Sequence, residues 1–296
     1  MSKKVAVLAF FLVPCAAQAL AASNIVYVAF YGSDSFPCTR AAPCKTIAHA
    51  LSVVAYGGEV DIVGSGVYDN FTINKAVTVT AEPGVLASFD VPPSSNGITI
   101  ASSGTDMVTL RRLNLHGQGA GNGVWFGSSG EVSVEDCVIG NFSTGIAFVP
   151  SATASLTVKG GFFDSNISAI NICCASGGSA ANVLIDGIKV ELCSFGVTAN
   201  AVNTTITRSS FSSGFAQAIN VPAGTAILEN NVISNYSGGV FVTAAGTVYL
   251  SSNTITGNSV GVDVFATNNA FSRGNNTIVA NGVLDVNGTL NPFSPQ

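Results

Sequence analysis

The 296-residue sequence carries 11 Lys and Arg against 16 Asp and Glu, so only 9% of its residues are charged, where a typical soluble domain has about 25%. So few basic residues exclude a nucleic-acid face, because no stripe of Lys and Arg is present to neutralise phosphates. Beyond the first 22 residues no run approaches the roughly 18 apolar residues of a spanning helix, and no transmembrane segment is predicted in the mature chain. The apolar residues come in short bursts between Gly, Ser, Thr and Asn, with 32 Gly and 25 Asn in all.

Lys3 and Lys4 precede the apolar run Val5 to Ala17, and Ala17-Gln18-Ala19-Leu20-Ala21 offers two small-x-small cleavage sites. This layout predicts a secretory signal peptide over residues 1–21, cleaved after Ala19 or Ala21. Pro14 before Cys15 fits a lipidation site poorly. Removal of the leader leaves nine basic residues against 16 acidic ones and six cysteines. An even cysteine count in an exported chain permits disulfides. Cys38 and Cys44 flank the loop Thr39 to Pro43 and are the predicted pair, whereas the pairing of Cys137, Cys173, Cys174 and Cys193 stays open. His49 and His116 lie in no zinc-type spacing, and no metal site is predicted.

Residues 22–60 read as an N-terminal cap. Ile47 to Val54 is the one good helix candidate, with Thr46 as its N-cap and Gly57-Gly58 as its end. Strands are expected from Glu59 to Val63, Tyr68 to Ile73 and Val77 to Thr80. A short amphipathic helix here covers strand edges that otherwise invite association.

From about residue 97 the chain repeats. One set of triplets reads Ile98-Thr99-Ile100, Val124-Trp125-Phe126, Ile146-Ala147-Phe148, Ile170-Asn171-Ile172, Val197-Thr198-Ala199, Ile219-Asn220-Val221, Val240-Phe241-Val242 and Val262-Asp263-Val264, at spacings of 21 to 27 residues. The outer residues of each triplet point one way and the middle one the other. A second set precedes it and places Arg111, Glu135, Lys159, Asp186, Thr207, Glu229 and Ser251 in equivalent outward positions. Asn231, Asn253 and Asn275 recur every 22 residues and Asn235, Asn258 and Asn281 every 23, which predicts stacked Asn turns.

A period of about 22 to 24 with three short strands and no helical pattern predicts an all-β parallel β-helix. Its coils span residues 61–290 of a single domain over 22–296. Thr277-Ile278-Val279 still fits the repeat, Val283 to Leu290 forms a last partial coil, and Pro292 and Pro295 stop further pairing.

Pro37-Cys38, Pro43-Cys44-Lys45-Thr46-Ile47, Ala50-Leu51, Gly57-Gly58 and Val77-Thr78-Val79-Thr80-Ala81 together resemble the opening of secreted bacterial right-handed parallel β-helix repeat proteins in the pectate-lyase-like superfamily. The resemblance implies a right-handed solenoid and a secreted, periplasmic or cell-surface protein of a bacterium. Its members include pectate and alginate lyases, polygalacturonases, mannuronan epimerases, tailspikes and adhesins, so the fold leaves the activity open. The Asp pairs and Gly-His-Gly motif of the polygalacturonases are missing, as is the Asp-Pro-His motif of the epimerases.

Two outward ladders carry the candidate residues. Trp125, Phe241, Asn171, Asn220 and Asp263 are the carbohydrate-binding candidates, Trp125 and Phe241 as stacking surfaces unless loops around Gly117 to Gly121 and Cys173 to Ala181 cover them. Arg111, Glu135, Asp136, Lys159 and Asp186 are the catalytic candidates. The alternating column reads either as exposed ion pairs or as a groove in which Lys159 or Arg111 acts as base and a carboxylate as acid or calcium ligand. Function accordingly divides between a noncatalytic β-helix (glycan-binding, surface-attaching or structural, with a polysaccharide or cell-surface partner and no cofactor) and a lyase or hydrolase of acidic polysaccharide. A fibre-type assembly is the third reading.

Overall fold

The computed structural model describes residues 23–119, 121–173, 181–200, 202–266 and 269–294. The predicted signal peptide over 1–21, with Cys15, lies outside the described residues, as do Cys174, Pro295 and parts of the loops at 117–121 and 173–181.

The coils are built as the triplets require. One coil runs Asn96–Ile100, Met107–Arg111 and Leu113–His116, and the next begins at Asn122–Phe126, in parallel register above the first. Trp125 lies between Thr99 and Ala147, and Glu135 between Arg111 and Lys159. Three faces result, here called the Trp125, Arg111 and Phe163 faces. The Phe163 face is a ten-stranded parallel sheet, from Gly66–Tyr68 to Thr277–Val279. The other two faces join into a 20-stranded sheet, because Gln217–Glu229 and Gly238–Ser251 each run from one face into the next without a break. In those coils the separate strands expected around Asn220 and Glu229, or Phe241 and Ser251, are halves of one long strand.

Inward positions form one continuous core along the axis, with Ile98, Val124, Ile146, Ile170, Val197, Ile219, Val240 and Val262 all buried. Each such side chain contributes about 1.5–3 kcal/mol through burial. Phe126 and Phe148 stack at 5.1 Å, so identical residue types meet in successive coils. Strands between the two ends share backbone hydrogen bonds with the coil above and below, which satisfies buried amides and carbonyls without charged groups.

Single left-handed residues turn the chain from the Arg111 face to the Phe163 face: Arg112 (φ 56°), Asp136 (φ 52°), Arg208 (φ 50°), Asn230 (φ 56°) and Ser252 (φ 56°). The next residue points inward. This inner corner is apolar at Leu113, Cys137 and Ile188, then polar at Ser209, Asn231, Asn253 and Asn276. The expected third member, Asn275, is corrected to Asn276. The step from Asn253 is 23 residues, and Asn275 is exposed with its Oδ1 accepting from the Ser252 amide at 3.0 Å. The second expected stack is also corrected. Asn235 (φ 59°) is itself a left-handed corner residue, and Tyr236, not Asn235, stands one coil before Asn258. The coil step is 22 there, as Ser234 pairs with Thr256.

Residues 23–60 contain more strand than predicted. Ser23–Val28 pairs in parallel with Val54–Ile62. The helix spans Ile47–Val53, and its N-cap Thr46 Oγ1 accepts from the His49 amide at 3.1 Å as expected. Gly57-Gly58 does not end it. The chain enters the strand directly at Val54, and Gly57 (φ +73°) lies where the pairing with Ser23–Val28 shifts register. Ile47, Ala50 and Leu51 are buried. The Cys38–Cys44 disulfide forms as predicted. It clamps the first strand, since the Tyr27 amide donates to the Cys38 carbonyl and the Cys44 amide to the Tyr27 carbonyl, each at 2.9 Å.

At the other end Leu284–Asn287 pairs with Val260–Val264, the expected partial coil. Pairing then continues past the expected stop. Asn291–Pro292 lies beside Ala270–Ser272, with Pro292 at the strand end where a missing N–H breaks no ladder. Among the described residues no helix is long and apolar enough to cross a membrane.

Candidate functional site

The Trp125 face presents its middle residues in the predicted order, from Thr99 through Trp125, Ala147, Asn171, Thr198, Asn220 and Phe241 to Asp263. Trp125, Asn171, Asn220, Phe241 and Asp263 are half-buried and Ala147 is buried. The indole folds over Gly127, where a Cβ would lie only 2.2 Å from the ring. Phe241 is covered by the edge of Phe265, 5.8 Å away and itself 73% exposed. Most of the second expected loop, 174–180, and residue 120 of the first lie outside the described residues. Asp263, the single ionisable group on this ladder, accepts from Asn287 Nδ2 at 2.8 Å. Asn220 Oδ1 has no protein partner. Trp125 and Phe241 stand five coils apart, about 24 Å at the strand spacing.

The five residues predicted for catalysis do not converge. Arg111 Nε bonds Glu135 Oε2 at 2.8 Å, and Ser133 Oγ donates to Glu135 Oε1 at 2.9 Å. Burial works against the Glu135 carboxylate, but the hydrogen bonds from Arg111 and Ser133 and the Arg111 charge outweigh it and hold the carboxyl below its ordinary range. A general acid needs the opposite shift. Lys159 is exposed at the next step. Asp186 turns away from Lys159 and accepts from Thr207 Oγ1 at 2.9 Å and from Arg208 at 2.5 Å. Asp136 sits exposed in the left-handed corner, where its amide donates to the Lys159 carbonyl. The four residues stack in the expected alternating order, and the ion pairs they form are Arg111–Glu135 and, with a corner residue, Asp186–Arg208.

Calcium takes six to eight oxygen ligands, and these residues do not fit it. Glu135 and Asp186 are two coils apart, about 10 Å, and each is engaged elsewhere. Among the described residues, Cys38, Cys44 and His49 are the one group of three potential ligands close together, and both sulfurs there are tied in the disulfide. Cys137 and Cys193 are buried free thiols, pushed up by burial to about 12 and about 11, which keeps them protonated and unreactive.

One cleft escaped the sequence reading. Tyr249, Arg273, Phe293, Glu229, Ser251 and Ile227 line a volume of about 560 Å³ near the C-terminal end of the Arg111 face. Part of the signal was present, since Tyr249 and Phe271 are 22 residues apart, one coil step.

Comparison with solved structures gives a fold likeness. A pectate lyase, Pel9A, superposes with a TM-score of 0.53 at 14% identity, covering 92% of this chain and 78% of that one. A rhamnogalacturonan lyase gives 0.48 at 14% identity, covering 78% and 74%. The A-module of the mannuronan C-5 epimerase AlgE4 from Azotobacter vinelandii gives 0.40 at 13% identity, covering 84% and 93%. No curated protein sequence matches the chain. The family described as "Right handed beta helix region" matches residues 96–283, a span that holds the repeating triplets and both Asn columns up to Asn281. The chain belongs to this family of right-handed β-helix proteins.

Proposed function

We propose that this protein is an exported, noncatalytic β-helix that binds glycan at a surface, through the half-buried Trp125 and the polar Asn171, Asn220 and Asp263 of one face. The observation that carries the reading is the engagement of the catalytic candidates. Glu135 is held by Arg111 and Ser133, and Asp186 by Thr207 and Arg208, so neither carboxylate stands ready as acid or base. Paired carboxylates for hydrolysis need an open gap between them, and elimination needs a base beside bound calcium. The engaged Glu135 and Asp186 support neither role. The Trp125 face instead offers amides and one aromatic surface, suited to hydrogen bonding with hydroxyls and stacking on a sugar ring.

The export half of the proposal is supported by the predicted leader sequence and by a disulfide, a bond favoured in oxidising compartments. The test incubates the protein with a panel of acidic polysaccharides, with and without calcium. Retention on immobilised glycan, weakened by Trp125→Ala, together with no release of unsaturated uronates, is the expected result. Calcium-dependent release of unsaturated uronates overturns it in favour of a lyase.

A further inference from the structure

We propose that the cleft between Glu229 and Arg273 is a binding site for a uronate-bearing pyranose unit. It rests on the glycan-binding reading above and adds a second location, on a different face from Trp125.

Outward positions of four successive coils build the cleft. Ile227 and Glu229 come from the first, Tyr249 and Ser251 from the second, Arg273 from the third and Phe293 from the fourth. The strand spacing places Glu229 and Arg273 about 10 Å apart, with Ser251 between them. That span matches one pyranose ring with its substituents. The volume of about 560 Å³ lies in the range of small-ligand sites.

Both charged groups are uncommitted, unlike those nearer the N-terminus. The ion pairs among the described residues are Arg40–Glu82, Arg111–Glu135, Lys189–Glu191 and Arg208–Asp186. Neither Glu229 nor Arg273 belongs to any of them. Arg273 instead lies over the Phe293 ring, 5.3 Å from its centroid. Stacking fixes the plane of a guanidinium and leaves its N–H edges available for a carboxylate. The Glu229 carboxylate offers acceptors for sugar hydroxyls at the other end, and Ser251 Oγ, between the two charged groups, accepts from Asn275 Nδ2 at 3.4 Å.

The apolar part of the cleft is already rigid. Tyr249 stacks on Phe271 at 4.9 Å with 13° between planes, and meets Phe293 edge-on at 5.4 Å. A ring held on two sides loses little rotamer freedom when a ligand docks. Ile227, 45% exposed, extends the surface by one coil. An aromatic and aliphatic floor between one cation and one anion suits a ring with an apolar C–H face, a carboxylate and hydroxyls.

Isothermal titration of the full chain with a galacturonate hexasaccharide, and with cellohexaose as the neutral counterpart, tests the assignment. The uronate probe should bind more tightly. Arg273→Gln should weaken it about tenfold or more, the loss of one charge-assisted hydrogen bond pair. Tyr249→Ala should weaken both probes, Tyr249→Phe neither, and all three variants should keep the wild-type circular dichroism. Wild-type affinity in Arg273→Gln and Tyr249→Ala, with loss only in Trp125→Ala, overturns the cleft and leaves the glycan-binding reading standing. Equal affinity for cellohexaose overturns the uronate assignment. Binding of neither hexasaccharide by the wild-type protein overturns both readings.

Discussion

Asn231 donates both its backbone amide and its side-chain Nδ2 to Asn253 Oδ1, each at 3.0 Å. Asn253 repeats the pattern toward Asn276 Oδ1, at 2.8 and 3.0 Å, and its Nδ2 also reaches the Leu228 carbonyl. The column thus satisfies the inner corner of three successive coils with one side-chain type, in a place where water is excluded.

Replacing Asn253 by Ala strands the Asn231 donors and the Leu228 carbonyl in the core. The expected cost is about 3 kcal/mol, read as a fall in the denaturant midpoint. Leu113→Ala, at the apolar end of the same corner, should cost a similar amount through cavity formation. A neutral Asn253→Ala would show that the column contributes nothing.

Glu135→Gln removes a half-exposed ion pair without emptying the core. The expected loss is about 0–1 kcal/mol, shrinking further in high salt. Thermal melts at low and high ionic strength check this. A loss of several kcal/mol would assign the pair a larger role than its exposure allows.

Asp61 carries the clearest pH signature. Burial pushes its carboxyl up to about 6, reinforced by the Glu59 charge and hydrogen bond and the more distant Glu82, and opposed by Arg40. A raised folded-state value means that the folded chain binds this proton more tightly than the unfolded one. The associated stability is complete below the ordinary carboxylate range and is lost as pH rises through about 6. Asp61→Asn should therefore raise Tm near neutrality, and the gain should vanish at pH about 4, near the unfolded value. A pH-independent difference between the two proteins would count against this.

Gly214 is required by its neighbours. A Cβ there would stand 1.9 Å from the Tyr236 ring and 2.4 Å from the Cys193 carbonyl oxygen. Gly214→Ala should cost about 3 kcal/mol and lower soluble yield, whereas Gly187→Ala, with no atom within 4 Å of the added carbon, should show only the modest cost of its left-handed φ. Equal melting of the two variants would refute the steric account.

The strand faces were legible because alternation within Val124-Trp125-Phe126 and its counterparts fixes which side chain points outward, and parallel stacking then fixes the register. The corners were less so. An Asn that stacks inward and an Asn that supplies a left-handed turn look alike in sequence, which is why Asn235 and Asn275 were placed one residue away from the true columns. Ion-pair geometry was harder still. Arg111 and Glu135 pair along the column as their spacing suggests, but Asp186 prefers Arg208, a corner residue that the ladder pattern does not include. The aromatic cleft joins side chains from four coils, and only the 22-residue step from Tyr249 to Phe271 is visible in one dimension.

The second Asn column has a direction. Tyr236 donates to Asn258, Asn258 to Asn281, and Asn281 sends both its backbone and side-chain N–H groups to Asp285 Oδ1. Every Asn in this relay receives from the coil before it and gives to the next, because an amide has both a carbonyl and an NH₂ group. An ionised carboxylate has acceptors alone. Asp285, held below its ordinary range by those two hydrogen bonds, is thus a chemical full stop: it receives from the relay and has nothing to hand on.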